Sequence, residues 1–100
     1  MVGRGDRSTK EVRWHIYFSG EVQFVGFRHT AAYLANSLFL TGWVDNLEDG
    51  RVEMEAQGPV SQLRKLVIQL KAQPGIRIAH MEITEQEPAA SGGYFEIRGY

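Results

Sequence analysis

Two apolar stripes with helical spacing, set among segments whose apolar residues alternate, predict an α/β (α+β) sandwich of order β-α-β-β-α-β with a short final strand. Asp49-Gly50 between two of the alternating segments adds a hairpin signal. Two helices on one face of an antiparallel or mixed sheet, in this order, make the ferredoxin-like layout. A chain of 100 residues with 43% hydrophobic content suits one domain around a single core.

Each element follows from its residues. Val12, Trp14, Ile16 and Phe18 alternate with Arg13, His15, Tyr17 and Ser19, which makes a strand with one buried face. From Phe27 the period changes: Ala31, Leu34, Ala35, Leu38 and Phe39 fall three or four apart on one helical face, and Gly42 ends the helix. Residues 43–46 read as a short strand, followed by the Glu48-Asp49-Gly50 turn. Val52, Met54 and Ala56 alternate with Glu53, Glu55 and Gln57, so the chain returns as a strand. Gly58-Pro59 opens the next element, with proline suited to a first helical turn. Val60, Leu63, Leu66, Val67 and Leu70 form the second stripe, which Pro74-Gly75 ends. Residues 76–87 are mostly extended with Met81 and Ile83 facing inward, residues 88–93 form a loop of small residues, and residues 94–98 close the chain as a strand with Phe95 and Ile97 on one face. Residues 1–11 are polar and glycine-rich, with no apolar core of a signal peptide; they are expected as a flexible tail, leaving 12–100 as the domain.

Composition removes several functions. There is no cysteine, hence no disulfide and no thiol nucleophile, which fits a cytoplasmic protein. A formal net charge of -1 lacks the basic excess of a nucleic-acid binder. The longest mostly apolar run, residues 31–40, is broken by Asn36 and Ser37 and is too short to span a bilayer. His15, His29 and His80 match no ligand spacing, so no metal or other cofactor is expected; His15 and His80 read as exposed strand residues and His29 as a first-turn residue. Glu48, Asp49, Glu53 and Glu55 read as a solvated acidic hairpin that disfavours RNA, and Trp14, Trp43, Phe18 and Phe27 as core. A monomer is expected.

The stretch Gly20-Glu21-Val22-Gln23-Phe24-Val25-Gly26-Phe27-Arg28 leaves a strand, crosses a loop and enters a helix. A helix start leaves N–H groups unpaired, and their partial positive charge favours an anion. Successive loop amides can add a concave nest for phosphate oxygens, and Arg28 adds a permanently charged planar fork. Gly26 allows close backbone approach. The same residues, taken alone, also fit a solvated first-turn arginine and an ordinary turn glycine. Asn46 ends the strand after the first helix and so returns towards this loop, where its amide could orient a water; taken alone it reads as an asparagine that shapes the turn before Asp49-Gly50.

Gly20-x-Val22-Gln23-x-Val25-x-Phe27-Arg28 resembles the first signature of the acylphosphatases, and Gly42-Trp43-Val44-x-Asn46-x-x-Asp49-Gly50-x-Val52 resembles the second, with Glu55 and Gly58 at family-like positions. The resemblance runs from about Val12 to Tyr100. It implies a metal-independent hydrolase that splits the carboxyl–phosphate bond of a small-molecule acyl phosphate and releases inorganic phosphate. Arg28 would bind the phosphoryl group, residues 23–27 would donate backbone N–H groups, and Asn46 would position the attacking water. Such a substrate already has a good leaving group, so positioning and charge stabilisation carry the catalysis. The alternative is a non-catalytic ferredoxin-like module that binds a phosphorylated metabolite.

Three positions depart from the family pattern. Phe24 replaces a glycine; at positive φ it would cost about 1–2 kcal/mol, with Gly26 placed to take over the flexible position. Asp45 replaces a residue more often basic or neutral, and strand alternation turns it away from Asn46. Phe39 also replaces a glycine and reads as a packing change.

Overall fold

The computed structural model describes residues 10–90 and 93–99. Of the expected tail, residues 1–9 lie outside the described residues, as do Ser91 and Gly92 of the small-residue loop and Tyr100; Glu11 already opens the first strand. The elements are β1 (Glu11–Glu21), α1 (Phe27–Ser37), β2 (Thr41–Asn46), β3 (Val52–Pro59), α2 (Val60–Lys71), β4 (Arg77–Gln86) and β5 (Phe95–Ile97). The expected β-α-β-β-α-β order with a short final strand is therefore present.

The five strands form one sheet in the order β4-β1-β3-β2-β5. β1 pairs antiparallel with both β3 and β4, β2 pairs antiparallel with β3, and β5 joins β2 in parallel, so the sheet is mixed. Register explains the core. Ile83, Ile16, Met54, Val44 and Ile97 lie opposite one another across successive strands. Directly opposed residues share a sheet face, and Ile16, Met54 and Val44 are fully buried. The helices cover this face through Ala31, Ala35, Leu63, Leu66 and Leu70, all buried in the same cluster. Ile83, expected to face inward, stands on that face but at the edge strand and stays 43% exposed. No helix among the described residues is long and apolar enough to cross a membrane.

The other sheet face carries charge that is paired. Arg13 donates to Glu55 at 2.6 Å, His15 meets Glu53 at 2.8 Å, and the Arg51 guanidinium lies 4.3 Å from the Tyr17 ring centre. This corrects two expectations. Glu55 is a half-buried ion-pair partner and Glu53 a half-buried hydrogen-bond partner, not a solvated hairpin, and His15 is likewise half-buried. Trp43 is also half-buried on this face, not core, with the Arg98 guanidinium 4.3 Å above its ring. Gln57 is buried but satisfied: it exchanges two hydrogen bonds with the backbone of Ala89, at 2.8 and 2.9 Å, and so pins the segment leading to β5.

The end of α1 also differs from expectation. The helix stops at Ser37, and Gly42 is a β2 residue where a Cβ would meet the Glu55 carbonyl. Phe39 closes the helix with φ 60, and Leu40 donates back to Ala35 at 2.9 Å. Its side chain is 88% exposed, so it is off the helical face that Leu38 still serves. The departure at Phe39 is thus a backbone matter, not a packing change: the turn needs a left-handed residue, where glycine is favoured. Phe39→Gly should therefore stabilise the fold by about 1 kcal/mol, read as a higher urea midpoint at unchanged slope. A lower midpoint would contradict a strained turn.

Candidate active site

The sheet topology decides which residues meet. β3 runs antiparallel to both β1 and β2, so β1 and β2 point the same way, and β5 is parallel to β2. Their three C-terminal ends therefore reach one edge of the sheet. The loop after β1 carries residues 22–28, β2 ends on Asn46, and β5 leads into Arg98 and Gly99. There a cleft of about 220 Å³ is lined by Val22, Phe24, Gly26, Phe27, Arg28, His29 and Asn46.

The loop enters α1 with an open positive end. Gly26 sits at the helix N-cap with φ 77 and ψ 18; no side chain caps the helix there, and its first turn holds no acidic residue. The first intrahelical bond in this region runs from Thr30 to the Gly26 carbonyl at 3.0 Å. Among the described residues, the N–H groups of Phe24, Val25, Gly26 and Phe27 donate to no backbone carbonyl. Such a terminus carries uncompensated partial positive charge and is a ready site for an anion. Phe27 anchors it: the side chain is 2% exposed and its ring centre lies 4.9 Å from that of Phe18.

Arg28 is half-buried at the first turn. One terminal nitrogen donates to the Arg98 carbonyl at 2.5 Å and to the Gly99 carbonyl at 3.2 Å. Arg98 is itself tied in, since its N–H donates to the Val44 carbonyl at 2.8 Å. The segment after β5 thus holds the guanidinium by backbone acceptors, which no side-chain pattern announces.

Asn46 stands beside Arg28 on the cleft. Its Oδ1 is buried and, among the described residues, has no hydrogen-bond partner. A buried unsatisfied acceptor costs about 1–3 kcal/mol, and native structures rarely keep one without a use. A water in the cleft is a donor that would satisfy it. Asp45 pairs with Glu53 on the opposite sheet face, as alternation requires. Its carboxylate nevertheless reaches the edge, where the Asp45 Oδ1 and an Arg28 terminal nitrogen both border Gly99.

Gln23 has a role that sequence reasoning missed. Its side-chain amide donates to the Leu47 carbonyl at 2.7 Å and to the Arg51 carbonyl at 2.9 Å. These carbonyls flank the β2–β3 turn, which is closed by Leu47 N–H to Arg51 and Gly50 N–H to Leu47. The turn has its own support. The backbone N–H of Arg51 holds the Asp49 carboxyl below the usual carboxylate range, and the Arg51 guanidinium adds to the effect. With its pKa depressed on folding, Asp49 stabilises the turn above the ordinary carboxylate pKa, and acid removes that contribution. The departure at Phe24 resolves against the relief expected from Gly26. Both residues are left-handed, Phe24 at φ 63 and Gly26 at φ 77, so the strain at Phe24 stays. Among the described residues, no group of three or more His, Cys, Asp or Glu side chains comes together as a metal site.

Comparison with known proteins gives the family and the fold. The family model described as Acylphosphatase matches residues 14–97. An acylphosphatase from Syntrophotalea carbinolica is 41% identical over 90 residues, covering 89% of this chain and 98% of the relative. The crystal structure of acylphosphatase from Bacillus subtilis superposes with a TM-score of 0.82 at 34% identity, over 88% of this chain and 99% of that one. An acylphosphatase structure from Coxiella burnetii gives 0.80 at 32% identity, over 88% and 93%.

Replacing Gln23 with leucine leaves the Leu47 carbonyl with one acceptor contact fewer and unties the loop from the turn. Gln23→Leu should lower stability by about 1–3 kcal/mol and speed amide exchange at Leu47 and Gly50. Unchanged stability together with unchanged exchange would show that the fork holds nothing.

Proposed function

The chain belongs to the acylphosphatase family and is an acylphosphatase, and we propose that it splits the carboxyl–phosphate bond by direct attack of water on phosphorus. The phosphoryl oxygens take the N–H groups of residues 23–27 and the Arg28 fork. Asn46 Oδ1 accepts one hydrogen of the attacking water and turns a lone pair towards phosphorus. The new P–O bond forms from that water; the bond to the acyl oxygen breaks, and the carboxylate leaves with the electron pair. Its low basicity removes the need for a general acid. The water's proton passes to solvent or to the phosphate released.

The observation that carries this reading is the Oδ1 of Asn46, buried and without a partner among the described residues, on the same cleft as Arg28 and the start of α1, which has no side-chain cap among those residues. The cleft offers both positive charge for a dianion and an acceptor for a neutral donor. That combination suits phosphoryl transfer, in which positioning and electrostatics do most of the catalysis. Arg28 suits the first role because a guanidinium remains charged and matches two phosphoryl oxygens at once. Asn46 suits the second because an amide orients water without adding a charge that would repel the substrate.

The reading needs no metal or organic cofactor, and every group it uses lies on one chain. It takes the protein as a cytoplasmic monomer. In support, the outer strand β4 carries Arg77, His80, Glu82 and Glu85, a charged edge of the kind that resists strand-to-strand association.

Benzoyl phosphate hydrolysis and thermal unfolding with inorganic phosphate separate the roles. Arg28→Ala should lower kcat/KM by about a hundred- to thousandfold and abolish the rise in Tm that phosphate gives the native state. Asn46→Ala should lower kcat by about a hundredfold or more yet keep the phosphate-dependent rise. No wild-type turnover, or turnover insensitive to Arg28→Ala, would reject the mechanism; phosphate stabilisation without turnover would instead leave a binding module.

A further inference from the structure

Phe24 is 98% exposed and holds φ 63. Neither property helps the protein fold. An exposed ring buries no apolar surface, and left-handed backbone disfavours any residue with a Cβ. Phe39 shares both properties beyond the end of α1, so they do not by themselves indicate a role. What distinguishes Phe24 is its position: it lines the cleft that Arg28 and Asn46 share. Backbone strain kept at such a place points to use by a bound molecule.

The chemistry says which part of that molecule reaches the ring. In an in-line displacement the leaving group departs opposite the attacking water. Water belongs at Asn46 Oδ1, the buried acceptor, so the acyl group lies away from Asn46, on the solvent side of the phosphoryl group. The exposed apolar side chain that lines the cleft is Phe24. An acetyl group is too short to cover a phenyl ring, whereas an aromatic or extended apolar acyl group can stack on it.

We infer that Phe24 is a specificity-determining residue that favours acyl phosphates with an aromatic or extended apolar acyl group. The inference rests on the acylphosphatase reading above. Its measure is the ratio of kcat/KM for benzoyl phosphate to that for acetyl phosphate, which cancels any change in phosphate binding common to both. Phe24→Gly removes the ring and the strain. Phe24→Asn removes the ring but keeps a residue that tolerates left-handed backbone, and Phe24→Tyr keeps the ring. The ratio should fall about three- to tenfold in Phe24→Gly and Phe24→Asn and hold in Phe24→Tyr. Turnover with the same ratio in all four proteins would overturn this inference alone. Failure of the wild type to hydrolyse either anhydride would overturn the parent reading and this inference with it.

Discussion

The two halves of the site are joined by the Gln23 amide. It reaches from the loop after β1 to the carbonyls of Leu47 and Arg51 on either side of the β2–β3 turn. Without it, the loop and the end of β2 would meet only because parallel strands deliver them to one sheet edge. That brings Arg28 and Asn46 into the same region but leaves their separation loose. Misplacement of about an ångström in such a site costs orders of magnitude in rate. Two hydrogen bonds to fixed backbone acceptors convert neighbourhood into geometry. They also explain why glutamine is needed: its amide is long enough and supplies two donors from one nitrogen.

Around that fork, the site keeps features that cost stability. The start of α1 lacks a side-chain cap, Phe24 stays left-handed, and Asn46 Oδ1 is buried without a partner among the described residues. Each would be easy to repair. A serine or aspartate cap would satisfy the N–H groups that face the cleft, and a closer donor would satisfy Asn46, but either repair would occupy the site. As for the guanidinium of Arg28, carbonyls of Arg98 and Gly99 accept from one of its terminal nitrogens and help set its orientation.

Much of this was legible in the sequence because it rests on periodicity. The alternation in β1 and β3, the stripes of α1 and α2 and the Asp49-Gly50 turn all produced the elements they predict. The cleft was legible where side-chain type matters: Arg28 and Asn46 were named from chemistry and the family signatures, and the structure brings them onto one cleft. What was not legible belongs to the backbone and to pairing across strands. The acceptors of Arg28 are carbonyls, which every residue has, so nothing marked Arg98 or Gly99. Glu53 and Glu55 looked solvated because their partners His15 and Arg13 lie across β3–β1 pairs, far away in the chain. Phe39 looked like packing because it falls at helical spacing from Ala35, yet the chain turns one residue earlier. Phe24 was read as a position that positive φ would strain, and it is left-handed, but that Gly26 would be left-handed as well could not be read from the letters.

The central claim is that Asn46 aims a water at phosphorus, not at the acyl carbon. Single-turnover hydrolysis of benzoyl phosphate in water labelled with oxygen-18 tests it most directly. Attack on phosphorus places the label in inorganic phosphate and leaves benzoate unlabelled, which is the result this account predicts. Label in the benzoate carboxylate would mean attack at carbon and would contradict it.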